Sequence, residues 1–205
     1  LMIKKYAIQN TQVIPNVVNT DIFFPAEKQA ADKVRFIHVS TMIYQKNPEA
    51  ILQALALLKD EFEFEMFLYG PATPMQKQLI QVLGLQDKVL LKGEVPQEVL
   101  AKSMQQCDAL ILYSRFETFG CVLIEANACG IPVVVSDLEV FHEIVEEGIN
   151  GIFAAGDKSA VLAEKLKQFV LQRTNFDKSL IAKAAAEKYN YQKIGRQFFD
   201  LYKNF

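Results

Sequence analysis

The sequence has little net charge, few cysteines and no long apolar run, and each of these shortages excludes a class of protein. With 22 basic and 24 acidic residues, the formal net charge is −2, which gives no support to nucleic-acid binding. No apolar stretch is long enough to cross a bilayer, and no signal peptide stands at the start. No G-x-G-x-x-G turn follows the first predicted strand, which argues against a nicotinamide-dependent oxidoreductase.

Three cysteines are present, at positions 107, 121 and 129, and none has CxxC or CxxH spacing. All three lie in apolar sequence surroundings, so we interpret them as small core residues in a reducing cytoplasm. Disulfides and a metal-ligand cluster are not indicated.

What is present suits a folded domain. Of the 205 residues, 51% are hydrophobic, enough for the core of one α/β domain with extensions. The first residues, Leu1-Met2-Ile3, do not resemble a natural start, and we expect a fragment of a longer protein.

Short apolar, β-branched runs alternate along the chain with stretches of helical periodicity. The runs predict strands over residues 34–39, 64–69, 89–92, 109–113, 132–135 and 151–154. The other stretches predict helices over residues 48–58, 74–83, 97–106, 120–128, 140–147, 158–171, 180–188 and 191–202. Because parallel strands need helical crossovers, we predict an α/β fold: a three-layer, doubly wound, Rossmann-like parallel sheet of about six strands with extra C-terminal helices.

Ligands bind such sheets at the carboxyl ends of the strands, where the strand order reverses. For the common order 3-2-1-4-5-6, that crevice lies between the first and fourth strands. The turns that flank it are residues 40–47 and residues 114–120. The first turn contains Thr41 and a single cation, Lys46.

The second turn carries the most informative motif. Glu117 and Glu125 stand eight residues apart, with Phe119 and Gly120 between them, where a buried strand gives way to a helix. Free backbone N–H groups in such a turn suit a phosphate or a sugar oxygen, and carboxylates accept hydrogen bonds from vicinal hydroxyls. A nucleotide-sugar carries both kinds of group, so the pattern predicts a nucleotide-sugar site.

Each of these charged residues also has a structural interpretation, and the sequence leaves it open. Glu117 can stabilise the N-terminal end of the helix dipole. Glu125 can be a buried carboxylate with a protein partner. Lys46 can be an exposed lysine at the start of a helix.

In order and spacing, the motifs resemble those of one family. Residues 116–126, followed by residues 130–134, are similar to the Glu-x7-Glu region of retaining glycosyltransferases of the group 1 type. These enzymes have the GT-B architecture, in which two Rossmann-like domains face each other across a cleft. Val13-Ile14-Pro15-Asn16 is similar to the family's segment into the second domain, Lys46 to its phosphate-binding lysine, and residues 93–96 to its base-contacting turn.

The resemblance implies a role for each matching residue. The catalytic assignments are Glu117, against the hydroxyls of the donor hexose, and Lys46, at the diphosphate. The donor-binding assignments are Thr41, Glu94, Val95, Phe119, Gly120, Cys121 and Glu125. Among these, Glu125 would hold the ribose hydroxyls and the backbone near Val95 would contact the base. Enzymes of this architecture need no metal, so neither a metal nor a cofactor is expected.

One position departs from the family pattern. The family has an arginine five residues before the lysine, whereas this chain has Thr41 there. A fork of charge-assisted donors to phosphate is therefore missing. Arg115 is a candidate to replace the charge, although a basic residue directly after a strand is more often solvated or structural.

The resemblance also divides the chain into parts. Residues 1–31 would enter from an absent N-terminal domain, residues 32–188 would bind the nucleotide-sugar, and residues 189–205 would form a helix packing toward the absent domain. That domain would bring a carbohydrate or lipid-linked acceptor, so the chain alone is expected to bind the donor weakly and to be inactive. We expect a cytoplasmic protein, with peripheral contact of the full-length protein at the inner face of the membrane as an alternative.

Two other functions stay open. A nucleotide-sugar epimerase shares the general architecture, although the Phe-Gly spacing between the glutamates favours a transferase. A non-catalytic nucleotide-sugar-binding module is the other alternative, and the uncharged Thr41 favours it.

Overall fold

The structure is a computed structural model that describes residues 12–203. Two parts of the sequence predictions lie outside the described residues. They are residues 1–11 of the predicted entry segment and residues 204–205 at the end of the predicted C-terminal helix.

Six strands form one sheet in the described part of the chain. They are β1 (Val34–Val39), β2 (Phe64–Tyr69), β3 (Val89–Gly93), β4 (Ala109–Leu112), β5 (Val133–Ser136) and β6 (Gly151–Ala154). Their spatial order is β3-β2-β1-β4-β5-β6, and every neighbouring pair of strands is parallel. The predicted fold class and strand order are confirmed.

Helices cover both faces of the sheet. They are α1 (Pro48–Leu58), α2 (Pro74–Val82), α3 (Gln97–Gln105), α4 (Cys121–Ala128), α5 (Ser159–Gln172), α6 (Lys178–Tyr189) and α7 (Tyr191–Lys203). Short 3-10 helices lie at Tyr44–Lys46, Glu139–Glu143 and Arg173–Asn175.

The core has two halves because the strands are apolar on both faces. Phe36 of β1 packs in one half with residues of α1, α2 and α5, whereas its neighbour Ile37 packs in the other half with residues of α3, α4 and α6. The rings of Phe36 and Phe169 lie 6.0 Å apart across the first half. Alternate residues of one strand thus pack against helices on opposite faces of the sheet, and the parallel pairing places the carboxyl ends of all six strands at one edge.

The predicted helix over residues 140–147 is wrong in type and extent, since the chain forms only the 3-10 helix Glu139–Glu143 there. The reason is the side chain of Asn150, which follows the segment in sequence. Asn150 Oδ1 accepts a hydrogen bond from the Glu146 N–H at 2.7 Å, and its Nδ2 donates to the Ile144 carbonyl at 2.9 Å. Asn150 therefore takes up backbone groups that a continued helix would use.

Residues 12–31 run over the surface of the domain and are anchored by two buried apolar side chains, Val18 and Phe23. The Val18 N–H donates to the Tyr189 carbonyl at 2.9 Å. Lys28 forms an ion pair with Asp108 at 2.5 Å. These contacts hold the segment against β4 and α6, and they bring Asn16 to the carboxyl edge of the sheet.

The last helix, α7, buries Ile194 and leaves four aromatic residues exposed: Tyr191, Phe198, Phe199 and Tyr202. Among residues 12–203, no helix combines the length and the apolar character that a membrane span requires.

Candidate functional site

A cleft of about 510 Å³ lies at the carboxyl edge of the sheet. The loops after β1, β3 and β4 form its walls, so it occupies the point between β1 and β4 where the strand order reverses. Eight of the predicted site residues line it: Thr41, Lys46, Glu94, Val95, Glu117, Phe119, Gly120 and Cys121. Glu125 is the exception, and Arg115 is also not among the lining residues.

The turn into α4 depends on Gly120. This residue precedes the helix with φ +91°, a conformation that glycine adopts without strain. A Cβ at this position would lie 2.9 Å from the Phe141 ring. The turn places Cys121 and Val122, the first residues of α4, in the lining of the cleft, and the N-terminus of a helix suits an anion through its free N–H groups and the positive end of its dipole.

Glu117 lies before α4, in the loop after β4, and is 9% exposed. Its Oε1 accepts a hydrogen bond from Lys46 Nζ and another from Ser114 Oγ at 2.9 Å. The carboxylate and the ammonium therefore neutralise each other across the reversal point. Lys46 is the only basic residue among the described residues that line the cleft.

A buried histidine supports the floor of the cleft. His38 Nδ1 lies 2.8 Å from the Ile111 carbonyl, and its Nε2 lies 2.7 Å from Ser40 Oγ. Burial lowers the pKa of His38 to about 4, so the ring is neutral near pH 7. A neutral ring has one donor, so Nδ1–H donates to the carbonyl and Nε2 accepts from the Ser40 hydroxyl. Ser40 Oγ also accepts from the Met42 N–H at 3.0 Å and shapes the loop that leads to Lys46.

Of the eighteen described residues that line the cleft, ten received no individual role from the sequence, among them Asn16, Ser40, Gly70 and Thr118. Asn16 Nδ2 donates to Cys121 Sγ at 3.3 Å, so the surface segment closes one side of the cleft. Cys121 is exposed, so its interpretation as a core residue is wrong, because the start of α4 faces the cleft, whereas Cys107 and Cys129 are buried. Gly70 has φ +130°, and a Cβ there would lie 1.9 Å from the Ser40 carbonyl oxygen. Gly70 directly follows the strand predicted over residues 64–69, and the sequence does not indicate the close approach because it involves the loop after β1, far away in sequence.

Glu125 lies one helical turn after Cys121 and is partly buried. Burial raises the pKa of its carboxyl group to about 6. Within residues 12–203, Glu125 forms no ion pair and no side-chain hydrogen bond. The interpretation of Glu125 as a buried carboxylate with a protein partner requires such a contact, and the described residues do not provide one. A partly desolvated carboxylate beside a cleft is typical of a functional group.

The raised pKa predicts that Glu125→Gln stabilises the chain near neutral pH. A carboxyl group with a higher pKa in the folded state than in the unfolded state binds its proton more tightly when folded, so stability falls as pH rises from about 4.5 to about 6. Glutamine does not titrate, so the variant is expected to gain on the order of 1–2 kcal/mol at pH 7 and nothing below pH 4. Urea unfolding at a series of pH values measures this difference.

The difference between variant and parent is the informative quantity because His38 titrates in the opposite direction. Its lowered pKa makes the stability of both proteins rise between about pH 4 and pH 6.5, and this contribution cancels in the difference. A Glu125→Gln variant equal to the parent at pH 7 would show that the carboxylate is not desolvated.

No group of three His, Cys, Asp or Glu residues close enough to hold a metal ion occurs within residues 12–203. The cleft thus offers the ammonium of Lys46, hydroxyls, backbone N–H groups and the carboxylates of Glu94 and Glu117. These groups can bind a ligand that combines an anionic part with neighbouring hydroxyls.

Comparison with known proteins identifies related chains. The family model described as glycosyl transferases group 1 matches residues 19–188. The chain is 25% identical to the N-acetyl-alpha-D-glucosaminyl L-malate synthase of Bacillus anthracis over 209 residues, which is 95% of this chain and 54% of that protein.

Two solved structures share the fold. Sucrose-phosphate synthase from Thermosynechococcus elongatus has a TM-score of 0.87 at 22% identity, covering 98% of this chain and 55% of that one. Anabaena HepE in complex with UDP-glucose has a TM-score of 0.82 at 24% identity, covering 95% of this chain and 57% of that one. The chain therefore spans about half the length of the proteins it matches.

Proposed function

Because the chain belongs to the group 1 glycosyl transferases, we propose that its cleft binds a nucleotide-diphosphate sugar and forms the donor half of a retaining hexosyltransferase. A preceding domain would bring the acceptor, a carbohydrate or a lipid-linked hydroxyl compound. The chain alone would bind the donor weakly and would not turn it over. The related HepE, solved with UDP-glucose, supports this class of donor.

The observation that carries the proposal is the meeting of three kinds of group in one cleft. Lys46, Glu117 and the first N–H groups of α4 come from loops that follow β1 and β4 on either side of the reversal point. The diphosphate would lie on the α4 N-terminus beside Lys46, and the sugar hydroxyls would donate to Glu117. Glu125, one turn along α4, would accept from the ribose, and the base would lie near Val95.

In the transfer step, the bond from the anomeric carbon to the diphosphate oxygen would break as the bond to the acceptor oxygen forms on the same face, and the proton of the acceptor hydroxyl would pass to the departing diphosphate. Negative charge develops on the leaving diphosphate. Lys46 and the α4 N–H groups would stabilise it, because preorganised donors act where charge appears in the transition state. Lys46 would first exchange its contact with Glu117 for the phosphate.

A non-catalytic nucleotide-sugar-binding module is the second candidate. One observation favours it: the lining residues that the structure describes contain a single cation, and Glu117 already neutralises that cation. Leaving-group stabilisation would then be too weak for turnover, although binding would remain. Transfer activity of the complete protein separates the two candidates.

Calorimetric titration of the chain with uridine, guanosine and adenosine diphosphates tests donor binding. The Thr41→Arg variant is titrated in parallel because it should bind the diphosphate more tightly. Thr41 lines the cleft and is exposed, so an arginine can be accommodated there. A charge-assisted fork to the diphosphate should tighten binding roughly tenfold.

Thr41→Met is the matched control, because it adds a long side chain without charge and should leave the affinity unchanged. If none of the three diphosphates binds the parent or Thr41→Arg, the assignment of the cleft to a nucleotide is wrong.

A further inference from the structure

The sheet alone does not fix the distance between Lys46 and Glu117. The last paired residues of β1 and β4 are Ile37 and Leu110, and both charged residues lie several positions beyond this register. Each stands on an irregular loop or a single 3-10 turn. Because a displacement of about 1 Å in a reacting group is costly to catalysis, the two loops need a direct connection.

The structure shows such a connection on the outer side of the ion pair. The Arg115 N–H donates to the Gln45 carbonyl at 2.8 Å, and Gln45 Nε2 donates to the Phe116 carbonyl at 3.0 Å. Arg115 Nη1 donates to the Tyr44 carbonyl at 2.5 Å. We call residues Tyr44, Gln45, Arg115 and Phe116 the loop clamp.

The clamp also includes a cation–π contact. The Arg115 guanidinium carbon lies 4.0 Å from the centre of the Tyr44 ring. The planar guanidinium therefore stacks on the ring while its N–H group holds the carbonyl of the same residue, an arrangement that lysine cannot reproduce. Gln45 and Phe116, the residues directly before Lys46 and Glu117, are thus tied to the opposite loop.

We propose that Arg115 is a positioning residue that sets the separation of the Lys46 ammonium and the Glu117 carboxylate through the loop clamp. The consequence of this positioning for sugar transfer rests on the proposed function, whereas the effect of Arg115 on the ion pair does not. Arg115 therefore does not supply the charge missing at Thr41: its guanidinium is held by Tyr44, outside the cleft.

The loop clamp lies on the surface, so a positioning role of Arg115 can be distinguished from a role in core packing. Arg115 is exposed and the Tyr44 side chain is 77% exposed, so truncating Arg115 removes no buried contact. The expected result of Arg115→Ala is an intact fold with a looser ion pair.

Competitive acetylation of lysines, read by peptide mass spectrometry on the ligand-free chain, tests the proposal directly. An ammonium held by a carboxylate reacts slowly, so Arg115→Ala should raise the labelling rate of Lys46 roughly three- to tenfold. Lys88 is an internal reference: its side chain is 20% exposed against 22% for Lys46, and it pairs with Glu63 at 3.0 Å. Its labelling rate should not change.

Three variants complete the experiment. Gln45→Ala, which removes another clamp contact, should raise the Lys46 rate in the same direction, and Arg115→Lys should restore only part of the protection. Arg173→Ala is the matched control, because Arg173 is an exposed arginine whose Nη1 donates to the Val170 carbonyl at 2.6 Å. It should alter neither rate.

A double-mutant cycle with a nucleoside diphosphate gives a second readout. Arg115→Ala should weaken binding roughly three- to tenfold when Lys46 is present and should have no further effect in Lys46→Ala, because it acts through that ammonium. Unchanged labelling of Lys46 in Arg115→Ala, or equal losses of affinity in both backgrounds, overturns the proposal. Failure of the parent to bind any nucleoside diphosphate would count against the proposed function, and the labelling result would still decide this inference.

Discussion

Replacing Glu117 by alanine should lower transfer by the complete enzyme about 10²–10³-fold. The same change should tighten binding of a nucleoside diphosphate to this chain about two- to fivefold. The two effects have opposite signs for one reason. Glu117 occupies the ammonium of Lys46 in the ligand-free cleft, so its removal frees the cation for the diphosphate. Under the proposed function, the sugar would then lose the carboxylate that orients it as charge develops.

Calorimetry on the chain and initial rates on the complete enzyme measure the two effects. Lys46→Ala is the contrasting variant, since it should weaken binding and transfer together. Glu117→Gln retains an acceptor for the Ser114 hydroxyl and should show the same pattern as alanine with less structural change. Undiminished transfer in Glu117→Ala would remove this residue from the mechanism, and weaker diphosphate binding would contradict the description of the ion pair.

Gly70→Ala should be the most destabilising single methyl addition in the cleft. Gly70 has φ +130°, and the added Cβ would lie 1.9 Å from the Ser40 carbonyl oxygen. Backbone strain and the displacement of the loop after β1 should together cost about 3–5 kcal/mol in the free energy of unfolding. For a domain of this size, the melting temperature should fall by roughly 10 °C.

Gly148→Ala separates backbone strain from the clash. Gly148 also has a positive φ, +76°, but a Cβ there has no neighbour within 4 Å. Its expected cost is about 1 kcal/mol. Thermal unfolding of the two variants measures the difference, and equal melting temperatures would show that the loop after β1 does not depend on the close approach at Gly70.

The parts of the fold that were predictable from sequence are those with local causes. The short, β-branched apolar runs of β4 and β5 are typical of buried strands, and the helical stretches between the strands favour parallel connections. Strand order then places the loops that contain Lys46 and Glu117 on either side of one crevice. Both the sheet and its strand order are confirmed.

The parts that escaped prediction depend on contacts between distant segments. The helix expected over residues 140–147 is shortened because the side chain of Asn150 takes its backbone groups. The loop clamp joins the Arg115 N–H to the Gln45 carbonyl and the Gln45 side chain to the Phe116 carbonyl, and no residue pattern in the sequence predicts such contacts with main-chain atoms. Likewise, Asn16 reaches the cleft only because Val18 and Phe23 anchor the surface segment.

Under the proposed function, Glu125 would be a binding residue that lowers the stability of the fold. Its carboxyl group is desolvated without a partner among the described residues, so its ionised form should destabilise the fold at neutral pH. A ligand diol that donates to this carboxylate would offset the desolvation. The conflict is expected at binding sites, where groups are placed for the ligand rather than for the fold.

Mapping amide chemical-shift changes in the ¹⁵N-labelled chain during titration with uridine, guanosine or adenosine diphosphate tests the central claim most directly. The account predicts that at least one of them shifts the amides of Val95, Gly120 and Cys121 most strongly, with Lys46→Ala weakening the response. A second groove, lined by Asn127, Lys183 and Tyr189 among others, serves as the internal comparison. Shifts confined to that groove, or no shifts with any of the three nucleotides, would contradict the account.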